Sequence, residues 1–277
     1  MLARQGVTLK PAIHPIPSST RATSFPPNLD QPPQDLMAPF QQISSQSCTR
    51  AQLQYRNDGT LVVPVIRIFE PPSPTCTPQA LFPHAARRTR QWPRFIRQSN
   101  DSDFLIFTDG ACLNNGQSDP AAGWGFVFRA PAPNHLEIGM QYGRLENRGP
   151  SGEAHAQTSN RAELRAVIAA LHFRAWYGEG WTRLVIATDS EYVTKGATEW
   201  VHVWGGNGWR TSTGTAVKNR DLWEELLGEV LGHQNRGLHI SFWRIPRVLN
   251  GEADRIAKRG AEKAPVKDFE TIFGVLC

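Results

Sequence analysis

Two apolar runs in this chain end on an acid, and that pattern restricts the fold more than anything else in it. FLIFT (104–108) runs into Asp109, and RLVIAT (183–188) runs into Asp189. Runs of this length bounded by turn residues read as buried strands. Around them the periodicity alternates. GWGFVFR (123–129) is a second strand, and a third is expected around Leu136 to Leu145. TSNRAELRAVIAALHFRAW follows, with Leu164, Val167, Ile168 and Leu171 at helical spacing. After Asp189, SEYVTKGATEWV reads as helical, and a Gly- and Thr-rich loop (Gly205 to Thr215) leads to the helix NRDLWEELLGEVL. HISFWRI (239–245) is the last strand and GEADRIAKRGAEKA the last clear helix. Three strands in series, then helices alternating with two more, specify an α/β domain with a mixed sheet.

The preceding hundred residues differ in kind. They hold 15 of the 21 prolines and 4 of the 25 acidic residues, with Ser, Thr and Gln throughout. A Pro-, Ser- and Arg-rich region of this composition buries little of itself, so residues 1–100 are expected to be largely disordered. The exception is an ordered piece around Thr60 to Phe69, which Pro64 would confine to a sheet edge. The domain itself is expected over 101–265, folding on its own, with 266–277 as a tail.

Net charge follows the same division. The first hundred residues carry 11 Lys and Arg against 4 acids, and the remainder 19 against 21, so the basic pI belongs to the N-terminal region. RRTRQWPRFIR (87–97) sets five arginines among Trp92 and Phe95, which suits phosphate contact with base stacking and equally suits a solvated linker. Cys48, Cys76, Cys112 and Cys277 form no CxxC pair, so neither a zinc cluster nor a disulfide framework is expected, and a reducing compartment fits. No apolar run approaches a bilayer span. An intracellular setting, nucleus or cytoplasm, is expected. The mitochondrion stays open because the first 29 residues lack acids and contain Arg4, Lys10 and Arg21, although Pro11, Pro15 and Pro17 oppose a transit helix.

Asp109 and Asp189 are joined by Glu163, early in the first long helix, and by Asp254, opening the last one. Each has a plain alternative. Asp109 suits a turn, Glu163 a capping box with Asn160, Asp189 an N-cap, and Asp254 the helix dipole. In open α/β sheets, however, sites form beyond the carboxyl ends of strands. Four converging carboxylates repel one another unless cations sit among them, and acids with no His or Cys partner suit hard ions such as Mg²⁺ or Mn²⁺.

TDGACLNNG, QTSNRAELRAV, ATDSEYV, GWRTSTGTAVKNRDLW and NGEADRIAKRGA, in this order over roughly 102–264, resemble the motifs of type 1 ribonuclease H. The likeness is to a fungal-like variant with a shortened loop before the last acid. It implies a ribonuclease H-like fold, a five-stranded mixed sheet flanked by helices. It also implies an endonuclease that cuts the RNA strand of RNA/DNA hybrids, acting as a monomer. The resemblance places two Mg²⁺ ions, or Mn²⁺ in their place, on Asp109, Glu163, Asp189 and Asp254, with Asp109 bridging both and Glu163 sensing the ribose 2′-OH. It implies minor-groove contacts from Asn115 and Asn160, a DNA-phosphate pocket from Thr158 and Asn219, and a DNA-strand channel from Trp204 and Ser212. A core role for Trp204 and an N-cap role for Asn219 stay open beside these.

The chain departs from the family pattern in three places. Glycines stand in WGGNGWRTSTGT where lysines often form a protrusion, and Ser159 stands where a base-reading Asn is often found. IPRVLNGEAD reaches Asp254 without the histidine that many relatives carry there, Arg247 being the charged residue nearest that point before Glu252. The first hundred residues show no recognisable hybrid-binding module. A rival reading, a weak or inactive protein of this fold that only binds hybrids, is opposed by the presence of all four acids.

Overall fold

The strands in chain order are β1 (Arg67–Ile68), β2 (His84–Ala85), β3 (Arg94–Ile96), β4 (Asp103–Leu113), β5 (Ala121–Val127), β6 (Met140–Arg144), β7 (Arg183–Thr188) and β8 (His239–Arg244). The helices are α1 (Pro78–Leu81), α2 (Ser159–His172), α3 (Glu191–Lys195), α4 (Val201–Gly206), α5 (Arg220–Gln234) and α6 (Gly251–Ala261). These come from a computed structural model that describes residues 52–85, 93–130 and 139–274, all within the unit Ser47–Cys277.

β4 is the axis of the sheet. It pairs antiparallel with β5, which pairs antiparallel with β6, and parallel with β7, which pairs parallel with β8. This is the expected five-stranded mixed sheet. Side chains alternate across it. Phe104 and Ile106 point into a core shared with Leu164, Val167, Ile168, Trp223 and Leu227 of α2 and α5. Leu105 and Phe107 point the other way, to Ala253 and Ile256 of α6 and to Val185, Trp243, Phe69 and Phe82. The third strand is shorter than expected, Met140–Arg144; its expected start at Leu136 lies outside the described residues.

The expectation that residues 1–100 are largely disordered does not hold for 52–85 and 93–100. β1 extends the sheet beyond β8 in parallel, an edge position as Pro64 required. β2 and β3 extend it on the other side, antiparallel to the first half of β4. Leu61, Ile66, Phe69, Phe82 and Ile96 are each no more than 6 % exposed. Their irregular spacing gives this segment no core of its own, yet each docks on the domain, an arrangement that composition does not reveal. Phe69 and Phe82 pack on Trp243 with ring centroids 5.0 and 6.3 Å away. The expected boundary at residue 101 therefore cuts through a continuous hydrophobic core.

The arginine-aromatic run is also part of the fold where it is described. Arg94 is 2 % exposed, paired with Glu179 at 2.8 Å and lying over the rings of Phe128 and Trp176. Arg97 pairs with Asp103 at 3.1 Å and lies over Phe69. Neither is free to grip phosphate; Arg87, Arg88, Arg90 and Trp92 lie outside the described residues.

The helix expected after Asp189 runs on through α3, a π-helical turn (Gly196–Trp200) and α4. The Trp223 ring lies against Gly196 so closely that a Cβ there would be 2.1 Å from its edge. α4 is held from outside by the N-terminal segment, whose Leu61 amide donates to the Gly205 carbonyl at 3.0 Å.

Candidate active site

Asp109 lies in β4 just past the residues paired with β7 and is 6 % exposed. α2 crosses the strand at the next residue. A Cβ on Gly110 would lie 2.1 Å from the Glu163 amide nitrogen, so only glycine lets helix and strand meet here. That contact brings Glu163 beside Asp109. α6 is seated the same way, with Gly123 of β5 against the Ala261 amide, and this fixes the helix that carries Asp254.

The plain alternatives for the acids resolve one by one. The side-chain cap of α2 is Thr158, which accepts from the Arg161 amide, so Glu163 is not part of a capping box. The cap of α3 is Ser190, accepting from the Val193 amide at 3.1 Å, so Asp189 is not its N-cap. Asp254 does sit in the first turn of α6. There it accepts from Arg247 at 2.7 Å and from Lys258 at 2.6 Å.

Electrostatics ties the four together. Burial pushes the Asp109 carboxyl up to about 8, helped by the charges of Asp189, Glu163 and Asp254 and opposed by a bond from the Gly110 amide. Burial likewise pushes Glu163 up to about 7, with Asp189 raising it further and a hydrogen bond from the Ser190 hydroxyl opposing. Arg247 feels Asp254, Asp189 and Asp109 together, which holds its own pKa above the ordinary value. Its guanidinium thus supplies part of the positive charge that such a cluster demands.

Two positioning residues carried no recognisable signal in the sequence. Asn250, 1 % exposed, donates through Nδ2 to the Thr108 carbonyl at 3.1 Å and to Asp189 Oδ1 at 2.7 Å, tying the end of β4 to the acid after β7. Ser190 orients Glu163 while capping α3. Among the described residues the hydrogen-bond and ion-pair partners of the four acids include no histidine; His233 is buried on α5 and His239 opens β8.

The substrate-contact candidates fall into two groups. Asn115, Thr158, Asn160 and Asn219 line one groove, together with His155 and Lys218. Asn219 stands at the N-cap position of α5 but makes no side-chain cap bond. Its φ is 58°, and its side chain donates to the Tyr192 hydroxyl at 3.1 Å. Trp204 and Ser212 do not line that groove. Trp204 is half-buried, its ring 5.6 to 6.2 Å from those of Trp200, Trp209 and Trp223, which matches the core alternative in part. Ser212 is exposed in the loop beyond.

The family model described as RNase H matches residues 101–262. A curated protein of Treponema pallidum named Ribonuclease H is 42 % identical over 166 residues, 57 % of this chain and 90 % of its own length. One of Nitrobacter hamburgensis, also named Ribonuclease H, is 37 % identical over 58 % of this chain and 93 % of its own. A solved type 1 RNase H with the type 2 active-site motif, LC9-RNase H1, is 28 % identical over 57 % of this chain and 71 % of its own, with a TM-score of 0.40. At that score the sequence matches carry the assignment alone.

Proposed function

The chain belongs to the ribonuclease H family, and from that premise we propose that it hydrolyses the RNA strand of RNA/DNA hybrids at Asp109, Glu163, Asp189 and Asp254, leaving 5′-phosphate and 3′-hydroxyl ends. The observation that carries this reading is the coupled carboxylate cluster. Two buried acids are pushed to about 8 and about 7 in a site without enough positive charge of its own. An all-oxygen donor set of this kind fits Mg²⁺, with Mn²⁺ as a substitute. Bound there, two such ions would supply Lewis-acid stabilisation of the charge that builds on the scissile phosphate.

The chain's own residues hold the geometry. Asn250 fixes Asp189, and Ser190 fixes Glu163, the residue placed to sense the 2′-OH that distinguishes RNA from DNA. Arg247, held at Asp254, is the charged residue nearest the point in the loop where this chain lacks a histidine. As an acid its pKa is too high for proton exchange near neutral pH, so its part is electrostatic. Asn115 and Asn160 reach the RNA strand through the minor groove, and Thr158 with Asn219, which line the same groove, hold a DNA phosphate. Trp204 and Ser212 lie along the DNA strand. The protein works as a monomer inside the cell, in nucleus, cytoplasm or mitochondrion. Among the described residues no helix is long and apolar enough to cross a membrane.

End-labelled RNA/DNA, RNA/RNA and DNA/DNA duplexes test the proposal directly. Cleavage is expected only of the RNA in the hybrid and only with Mg²⁺ or Mn²⁺; equal cleavage of all three, or cleavage in chelator, would refute it. A second expectation concerns Asn250→Ala, which frees Asp189. Removing a group that orients a ligand typically lowers metal affinity about 10–100-fold. The Mg²⁺ concentration for half-maximal rate should rise by that factor, and an unchanged titration would remove Asn250 from the site.

A further inference from the structure

At the end of the sheet away from the four acids lies a cleft of about 700 Å³, walled by β1, by the first residues of β7 and β8, and by the last residue of α5. Strand register puts its basic residues on one face. Asp103, Arg183 and His239 are partners across three adjacent parallel strands, and Arg67 is the partner of Ser241, two residues on from His239. Partners in parallel strands point the same way, and side chains two apart share a face. Here that face is the one of Leu105, Val185, Trp243 and Phe69. Phe69 and Phe82 cover Trp243 further along the strands, whereas Arg183 is 44 % exposed and Arg67 and His239 are exposed as well.

A single acid serves this row, and other groups already hold it. Asp103, 1 % exposed, accepts from Arg97 at 3.1 Å and from the Asn100 side-chain amide at 2.9 Å, so Arg183 meets it only at 3.5 Å. Arg97 therefore stays a wall of the cleft, while most of the Arg183 fork faces solvent. Arg67 and His239 form no ion pair among the described residues. The other acid of the cleft, Glu70, lies beyond Phe69, away from the His239 end. Like charges set side by side on a sheet weaken it, and packing gives no reason for two arginines here. The rest of the lining is apolar. Val65 and Ile68 stand 62 and 45 % exposed at the edge strand, beside Ile240 and Phe69.

We propose that this cleft binds a small organic phosphate of nucleotide size, its phosphate held by Arg67 and Arg183 with an N–H from His239, and its apolar body set against Val65 and Ile68. Guanidinium forks match phosphate oxygens in pairs, so two of them facing one cleft suit a phosphate group. The volume falls within the roughly 300–1,000 Å³ of small-molecule sites, far more than an inorganic ion fills. The exposed valine and isoleucine likewise call for a body that such an ion lacks. The site is separate from the hydrolytic centre. β7 runs six residues from Arg183 to Thr188, and at about 3.3 Å per residue it sets Arg183 and Asp189 roughly 20 Å apart.

The test is calorimetric titration of the full chain with ADP in chelator, where the carboxylate cluster holds no metal that could draw a phosphate to it. One ADP per chain should bind saturably, with adenosine and inorganic phosphate each weaker by about tenfold or more. Arg67→Gln and Arg183→Gln should each weaken ADP by about tenfold or more, the loss that goes with one charged hydrogen bond. Both side chains are exposed, so the unfolding midpoint and Mg²⁺-dependent hybrid cleavage of the variants should match the wild type. Heats that never saturate would leave the arginines as a solvated face and overturn the proposal. Phosphate binding as tightly as ADP would overturn it too, because the apolar half of the cleft would then contribute nothing. So would ADP affinity unchanged in both variants, which would put the ligand elsewhere.

Discussion

Asp109→Asn should lower the rate of RNA cleavage by more than about a thousandfold and at the same time make the metal-free protein more stable. The two effects share one cause. In the unfolded chain this carboxyl titrates near 3.8, and in the folded protein burial and three neighbouring acids push it up to about 8. Between those values the folded state binds the extra proton, so metal-free stability falls as pH rises from about 4 to about 8. Glu163 adds to the same decline between its unfolded value of 4.5 and about 7. The asparagine cannot ionise and removes the larger part, on the order of a few kcal/mol at neutral pH. Thermal unfolding in chelator from pH 4 to 8 should show a flatter profile and a higher midpoint above pH 6 in the mutant. A mutant that cleaves normally, or whose profile overlies the wild type, would mean that Asp109 is neither ligand nor strained.

A fragment beginning at residue 101 should fail to fold, whereas one beginning at residue 47 should melt like the full chain. The longer fragment keeps Leu61, Ile66, Phe69, Phe82 and Ile96, all buried. At about 1.5–3 kcal/mol for each fully buried side chain, losing five removes about 8–15 kcal/mol of burial, as much as the whole stability of a typical domain. It also uncovers Trp243 and Leu105 on the face that α6 shares with Phe69 and Phe82. Near-UV circular dichroism and thermal melts of both fragments decide the matter. A cooperative, native-like transition in the 101-onward fragment would show that the N-terminal segment is only an accessory.

The core of the sheet and the four acids were legible because they obey short-range rules. Strand runs, helical spacing and acids at element ends are all visible within a few residues. What the sequence left open was which polar neighbour takes each capping role, since Thr158 and Asn160, or Asp189 and Ser190, are chemically interchangeable as caps until the helix phase is known. Asn250 was illegible for another reason. Its work is done across the sheet on Thr108 and Asp189, and in NGEAD it looks like an ordinary turn residue. The N-terminal segment was misjudged because five scattered apolar residues among prolines carry no period, and their partners lie far along the chain.

The parallel pairing of Arg67 and Ile68 with Ser241 and Phe242 has a consequence for how the molecule is made. The first strand of the sheet to leave the ribosome among the described residues has as its partner the last, from Arg67 to Ser241 along the chain. Until β8 is synthesised, β1 has no neighbour, and Phe69 and Phe82 wait without the Trp243 surface that covers them. Closing a loop of that length is a late, non-local event, slow relative to the local helices. During that interval the nascent chain presents aromatic surface to solvent, which makes it prone to aggregate, and the edge of β8 is sealed only late in folding.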